Sequence, residues 1–419
     1  MIRFLHTADV QLVASTSGDS PELKARREAR FTALKRLVAL ACEEQVDFIA
    51  ICGDFFEDNL VSDEAVYRGL RILQEADTLP VFILPGNHDP FSSGSVYRRS
   101  AFDPSSLGNV RVLSTTAPVA VTEQCTLYPC PVMEKTSLQD PTADIPARER
   151  QDELRIGLAH GSLKIEGKYQ DDDHPISLEA WKAHDLDYLA LGHWHSRVLF
   201  DEGRVAYSGT PEQTSFSERD AGYVLLVTIS GPGAQPEIES HRVGTLNWEE
   251  WDRTVQEPLS DALECLKAEV EALEGREKTL LRLVLEGMAR ADSLSLLRDF
   301  EKWLGEAGLL RAEIISKVAS VEQLEGVLQA LVESDEVIAG VVADLRRLAT
   351  LDTGGGEPNG EISPWSVEEL IDAWNRCKSG IEDLYDDFRL AQILEAVNYT
   401  NGANGALQLL AYLAKGVQA

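Results

Sequence analysis

The sequence predicts an α/β fold built on a mainly parallel sheet with helices on its faces. Three observations carry this. Short runs such as 48–53 and 79–85 are apolar throughout, as strands buried on both faces are. Segments of helical period lie between them, giving a βαβαβ rhythm. The apolar runs end in glycine followed by a polar or charged residue, as in Gly53-Asp54 and Gly86-Asn87. The carboxyl ends of strands are where open α/β sheets place ligand chemistry.

Taken in order, residues 2–8 form a strand that ends at Asp9. Residues 21–44 read as a helix with Phe31, Leu34, Leu37, Val38 and Ala41 on one stripe. Its basic face, from Arg26 to Arg36, reads as solvated. Ser62 opens a second helix, with Asp63 and Glu64 in the first turn and Val66, Leu70 and Leu73 on the buried face. Residues 110–132 read as antiparallel strands and 133–152 as an exposed loop. Strand 154–158 delivers His160. Asp171-Asp172-Asp173 reads as a solvated turn without metal, because adjacent carboxylates do not all converge on one ion. Strand 188–191 delivers Gly192-His193-Trp194-His195, and 198–200, 205–208 and 223–229 read as antiparallel strands. The segment up to about 255 reads as strand plus linker. A small α/β module then runs to about 315, helical patterns follow over 320–349, and Ser366-Val367-Glu368-Glu369 opens a last helix.

At 419 residues, 44% hydrophobic and 26% charged, the chain has room for two or three soluble domains. It shows neither a signal peptide nor an apolar run of the roughly 18 residues a membrane span needs. The six cysteines are scattered, and the one close pair, Cys125 and Cys130, lacks zinc-knuckle spacing. A reduced, cytoplasmic protein with no membrane partner is expected. Net charge is −31, with 22 basic against 37 acidic residues over 1–240 and 17 against 33 over 241–419. A protein gripping duplex DNA alone carries a basic face. Either the substrate is not DNA, or a partner supplies the grip, or a local basic patch is hidden in the average.

Two divalent ions held close together need several oxygen and nitrogen ligands and a bridging carboxylate. Asp9, Asp54, Asn87, His160, His193 and His195 offer that set at strand-to-loop junctions. Asp54 is expected to bridge the two ions. His193 and His195, two residues apart on an extended loop, can point the same way. His6 reads as a strand residue beside the site; His174, His184 and His241 read as surface or packing residues, and Trp194 as a packing wall.

His6-Thr7-Ala8-Asp9, Gly53-Asp54, Gly86-Asn87-His88-Asp89, Ala159-His160-Gly161 and Gly192-His193-Trp194-His195 resemble the five motifs of calcineurin-like metallophosphoesterases. Tyr207-Ser208-Gly209-Thr210-Pro211, with Phe216-Ser217-Glu218 after it, resembles the sequence after the last metal motif of SbcD-type DNA-repair exonucleases. Order and spacing agree over residues 1–230. The resemblance implies a four-layer α/β/β/α domain over 1–245 and a capping domain over 255–320. Beyond these it implies a helical region over 321–419, with a flexible linker at 352–363, that binds the coiled-coil base of an SbcC-like ABC-type ATPase. It implies that Asp54 bridges both ions, that Asp9 and His195 serve one, and that Asn87, His160 and His193 serve the other. His88 would approach the scissile phosphate and protonate the leaving oxygen, and Asp89 would orient His88. Two divalent ions, Mn2+ ahead of Mg2+, Fe2+ or Zn2+, would lower the pKa of the attacking water. The implied activity is a DNA exo/endonuclease subunit of an SbcCD-like repair complex, acting on DNA as a homodimer.

One position departs from the pattern. The first motif is normally Asp-x-His, and here it is Asp9-Val10-Gln11. A glutamine carbonyl is a harder, neutral donor, so that side of the site is expected to hold its ion less tightly or to prefer Mn2+ or Mg2+ more strongly. The acidic charge keeps open a small-molecule phosphodiesterase or phosphatase. Gln11 keeps open a scaffold subunit with a weakened site.

Overall fold

A computed structural model describes residues 1–12, 20–165 and 173–320. The expected helices and linker beyond residue 320, and Asp171 and Asp172, lie outside the described residues. In chain order the elements are β1 (Ile2–Thr7), α1 (Pro21–Glu43), β2 (Phe48–Cys52), α2 (Asp63–Gln74), β3 (Val81–Leu84), α3 (Pro104–Leu107) and β4 (Val110–Val112). Next come β5 (Val119–Ala120), β6 (Cys125–Cys130), β7 (Leu154–His160), α4 (Ala180–Ala183) and β8 (Tyr188–Gly192). They are followed by β9 (Val198–Phe200), β10 (Val205–Tyr207), β11 (Tyr223–Ile229), β12 (Glu237–Arg242) and β13 (Asn247–Val255). The last are α5 (Leu259–Glu271), β14 (Thr279–Ala289), α6 (Ser295–Glu306) and β15 (Arg311–Ser320).

Among the described residues the chain divides into two compact units, one of residues 1–250 with 275–282 and 308–312, the other of 251–274, 283–307 and 313–320. The first unit is built on two six-stranded sheets, ordered β12-β11-β1-β2-β3-β4 and β5-β6-β7-β8-β10-β9. The period of two explains how they pack. In β2, Phe48, Ala50 and Cys52 face a core shared with Leu154, Ile156 and Leu158 of β7. Ile49 and Ile51, on the other face, meet Leu34, Leu37 and Val38 of α1 and Val66 and Leu70 of α2. Strands buried on both faces read as unbroken apolar runs for this reason. Phe4 and Phe48 stack across the inner layer at 4.6 Å, worth about 1 kcal/mol beyond area burial. The outer face of the second sheet carries a smaller core, with Leu189, Leu191 and Tyr207 against Ile145, Leu163 and Ile176 from the connecting loops. The protein is therefore a mixed α/β fold with sheets flanked by helices, as the sequence predicts.

Ser20 and Ser62 cap α1 and α2, their hydroxyls accepting from Leu23 N–H and Ala65 N–H. Two strand readings need correction. Within 110–132 only β5 and β6 pair antiparallel; β4 runs parallel to β3, and β6 parallel to β7. Likewise β10 runs parallel to β8, although antiparallel to β9. Valine and threonine content marks strands but not their direction, which the partner decides. The basic face of α1 is not simply solvated either. Arg26 donates to the Thr214 carbonyl at 2.7 Å and Arg36 to the Gly244 carbonyl at 3.2 Å, their stems lying along the surface they cover.

In the second unit, Leu263, Leu266 and Val270 of α5 and Phe300 and Leu304 of α6 are buried. Strand β13 joins β14 and β15 in a three-stranded sheet, where the sequence suggested strand plus linker. Among the described residues no helix is long and apolar enough to cross a membrane, and Cys42, Cys52, Cys125, Cys130 and Cys265 are unpaired.

Candidate metal centre

Five loops leave the carboxyl ends of the parallel strands β1, β2, β3, β7 and β8 and meet at one place. The first two run side by side: Asp9 N–H donates to the Gly53 carbonyl at 3.0 Å and Gln11 N–H to the Asp54 carbonyl at 2.9 Å. This pairing puts Asp9, Gln11 and Asp54 at φ 54°, 48° and 51°, and His193 lies at 105°. Non-glycine residues in that region cost roughly 1 kcal/mol or more each and cluster at functional sites. Gly53 has φ +93°, and a Cβ there would lie 2.0 Å from His160 Nδ1. Glycine lets β2 end against the imidazole.

Asp9, Asp54 and His160 are buried and offer ligand atoms within 4.8 Å of one another. His160 Nε2 is 3.3 Å from Asp54 Oδ2 and 2.8 Å from Asn87 Oδ1. His193 Nδ1 reaches the same Asn87 oxygen at 3.1 Å. On the other side, His195 Nε2 is 4.0 Å from Asp9 Oδ1 and 3.2 Å from the Gln11 amide nitrogen. His193 N–H donates to the Asp9 carboxylate at 3.0 Å and His88 N–H to Asp54 Oδ1 at 2.8 Å. The structure thus brings together Asp9, Gln11, Asp54, Asn87, His160, His193 and His195 in one cluster, with His88 on its rim.

Charge fits this geometry. Burial pushes the Asp54 carboxyl up, but the His160 ring and its hydrogen bond outweigh burial and hold it at about 2. For His160 burial pushes down, and Asp54 and Asp9 raise it to about 10. His195 goes from burial's downward push up to about 9 through Glu218 and Asp9. Burial keeps Asp9 above its usual range despite His160 and His195. Two buried carboxylates with imidazole and amide oxygen around them favour positive charge at their centre, and the imidazole protons are those a divalent cation would displace. The donor set therefore fits the metal that the resemblance implies.

His88 has a half-exposed ring whose Nδ1 lies 2.9 Å from the Glu57 carbonyl oxygen. Asp89, expected to orient His88, has three hydrogen-bond donors around its carboxylate. Its Oδ1 accepts from Gly86 N–H at 2.8 Å, and its Oδ2 from Phe56 N–H at 2.9 Å and the Tyr97 hydroxyl at 2.6 Å. Asp89 is fully buried and its carboxylate is held by these three donors, so it fixes the turn that presents Asn87 and His88. His6 is buried between strands, with Nδ1 2.9 Å from the Tyr188 hydroxyl and Nε2 3.1 Å from the Leu191 carbonyl. Trp194 stacks on Tyr207 at 4.5 Å.

The sequence reading missed four contributors. Arg30 of α1, nearly buried, donates to the Gln11 carbonyl and pairs with Glu57 at 3.1 Å, linking the first two loops. Glu57 itself supplies the carbonyl facing His88. Asp173 lies 2.8 Å from His193 Nε2, so that end of the acidic run is not merely solvated. Glu218 lies 2.7 Å from His195 Nδ1. Only Glu218 had a signal, its place in the Phe216-Ser217-Glu218 run.

Comparison with known proteins agrees with this geometry. The sequence pattern of the calcineurin-like phosphoesterase family matches residues 2–197. The SbcD component of the nuclease SbcCD from Bacillus subtilis (strain 168) is 27% identical over 54% of this chain and 66% of its own length. The DNA double-strand break repair protein Mre11 of Methanosarcina acetivorans is 24% identical over 95% of this chain and 62% of its own length. The chain thus spans just under two thirds of those two relatives. An uncharacterized metallophosphoesterase of Bacillus subtilis (strain 168), YhaO, is 24% identical over 69% of this chain and 72% of its own. With its motifs, strand-end loops and donor cluster in this register, the segment 2–197 matches the calcineurin-like phosphoesterase domain.

Proposed function

We propose that the protein is a metal-dependent DNA exo/endonuclease subunit of an SbcCD-like repair complex, hydrolysing phosphodiester bonds at a two-metal centre. The observation that carries this reading is the convergence of Asp9, Asp54, Asn87, His160, His193 and His195, with the half-exposed His88 beside them. Asp54 would be shared by the two groups of donors. Asp9 and His195, with Gln11, would hold one ion; Asn87, His160 and His193 would hold the other. Bound divalent ions, Mn2+ in this reading, would supply Lewis acidity toward the phosphate and lower the pKa of the attacking water.

The chain's own residues do the rest. His88 Nδ1–H donates to the Glu57 carbonyl and fixes the ring, so Nε2 can give a proton to the leaving oxygen only as the doubly protonated imidazolium. Asp89 and Tyr97 keep the His88 turn rigid, so the ring stays poised on the rim. A net charge of −31 sets the whole-protein field against DNA. The reading therefore includes an SbcC-like ATPase partner that supplies much of the DNA grip, a homodimer, and a cytoplasmic setting. The capping role of residues 255–320 and partner binding by 321–419 belong to the same proposal.

Digestion of linear DNA with Mn2+ tests it. Wild type should degrade the DNA, and His88→Ala and Asp54→Ala should each lose at least about a hundredfold, the scale of a lost general acid. Equal activity in all three preparations would assign the nuclease to a contaminant. The acidic charge favours a second reading, a small-molecule phosphodiesterase, and hydrolysis of a cyclic nucleotide or nitrophenyl ester much faster than DNA would select it.

A further inference from the structure

The two imidazoles of Gly192-His193-Trp194-His195 face the centre through different ring nitrogens. His193 turns Nδ1 inward, 3.1 Å from Asn87 Oδ1. His195 turns Nε2 inward, toward Gln11 and Asp9. The outward nitrogen of each ring ends on a carboxylate from outside the five motifs: His193 Nε2 is 2.8 Å from Asp173 Oδ1, and His195 Nδ1 is 2.7 Å from Glu218 Oε1. A neutral imidazole carries one N–H, and the nitrogen that donates to a carboxylate is not the one that keeps a lone pair for an ion. We propose that Asp173 and Glu218 are positioning residues that assign opposite tautomers to His193 and His195, leaving Nδ1 of the first and Nε2 of the second to receive divalent cations. This rests on the metal-centre reading above.

Both carboxylates are themselves held. Glu218 Oε1 accepts from the Thr214 hydroxyl at 2.6 Å, and Oε2 accepts from Thr214 N–H at 2.6 Å and Ser215 N–H at 3.2 Å. Asp173 Oδ2 accepts from the Ser162 hydroxyl at 2.5 Å. Ser162 Oγ in turn accepts from Trp194 Nε1 at 3.0 Å, so this brace returns to the residue between the two histidines. His160 needs no such carboxylate. It is the last residue of β7, and its Nδ1 meets the Cys52 carbonyl of β2 at 2.9 Å. Outer partners of this kind fix ring orientation and raise ligand basicity.

The test is calorimetric titration of Mn2+ into the full chain, with imidazole 15N NMR of the metal-free protein at alkaline pH, where each ring carries one proton, and a melting curve for each variant. Asp173→Ala and Glu218→Ala should each weaken a different one of the two binding steps, by about 10–100-fold. Asp173→Asn and Glu218→Gln keep an accepting oxygen and should restore affinity to within a few-fold. The 15N shifts should place the proton on His193 Nε2 and His195 Nδ1 in wild type and show mixed tautomers in the alanine variants. Wild-type Mn2+ binding by both alanine variants, or amide variants as weak as alanine with unchanged tautomers, would overturn the assignment. A wild-type chain that takes up no Mn2+ would sink the metal-centre reading instead, and the NMR arm would then decide the tautomers alone.

Discussion

The two sides of the centre are built differently. On one, His160 is fully buried at the end of a strand, and its two ring nitrogens meet the Cys52 carbonyl and the Asn87 oxygen at 2.9 and 2.8 Å. On the other, the His195 side chain is 27% exposed and stands 4.0 Å from Asp9, with Gln11 where the motif has an imidazole. The first side takes its geometry from sheet backbone that cannot shift without breaking the core. The second takes it from loops braced by side chains. Rigidity and donor strength therefore both favour the His160 side, and each can be tested separately.

The largest effect is expected from breaking the rigid side. Gly53→Ala would drive a methyl to 2.0 Å from His160 Nδ1 at a φ of +93°. Displacement of a buried ring plus backbone strain should cost about 3 kcal/mol or more. Urea denaturation checks this, and a midpoint close to wild type would show that the strand end is less constrained than its contacts imply. On the open side, Gln11→His adds an imidazole and, in the two-metal reading proposed above, should tighten one Mn2+ binding step about tenfold, or about 1.4 kcal/mol. Unchanged metal content and turnover would end the idea that Gln11 weakens that side.

His6 supplies the reference for both sides, being as buried as His160 but without a carboxylate partner. Burial lowers its pKa to about 3, against a small rise from the Leu191 carbonyl. The unfolded chain then takes the proton first, at about 6.5. Stability from this group is complete above that value and falls as pH drops toward 3. Between pH 6.5 and 5.5 the loss should be about 1 kcal/mol. Subtracting the stability-against-pH curve of His6→Gln from that of wild type should isolate it, and parallel curves would refute it.

The mixed α/β class and the strand ends that hold the chemistry could be read in the chain because both depend on local pattern. Apolar runs buried on both faces cannot alternate, and their glycine-polar ends mark the loops. Strand direction was not legible for β4, β6 and β10, since pairing is set by partners far along the chain. The partners of Asp89 were not legible for a related reason. Two of its three donors, Phe56 N–H and the Tyr97 hydroxyl, are 33 and 8 residues away and reach it only in the folded state.

The sequence alone determined which residues could hold a metal, because ligand chemistry belongs to residue type, and it determined that Gln11 departs from the motif. Tertiary structure decided which ring nitrogen each histidine presents. Asp173 and Glu218 lie 20 and 23 residues from their partners, and neither spacing is a helix or strand period. A hydrogen bond between loops leaves no pattern in the chain; it exists because the sheets bring the ends of their strands together.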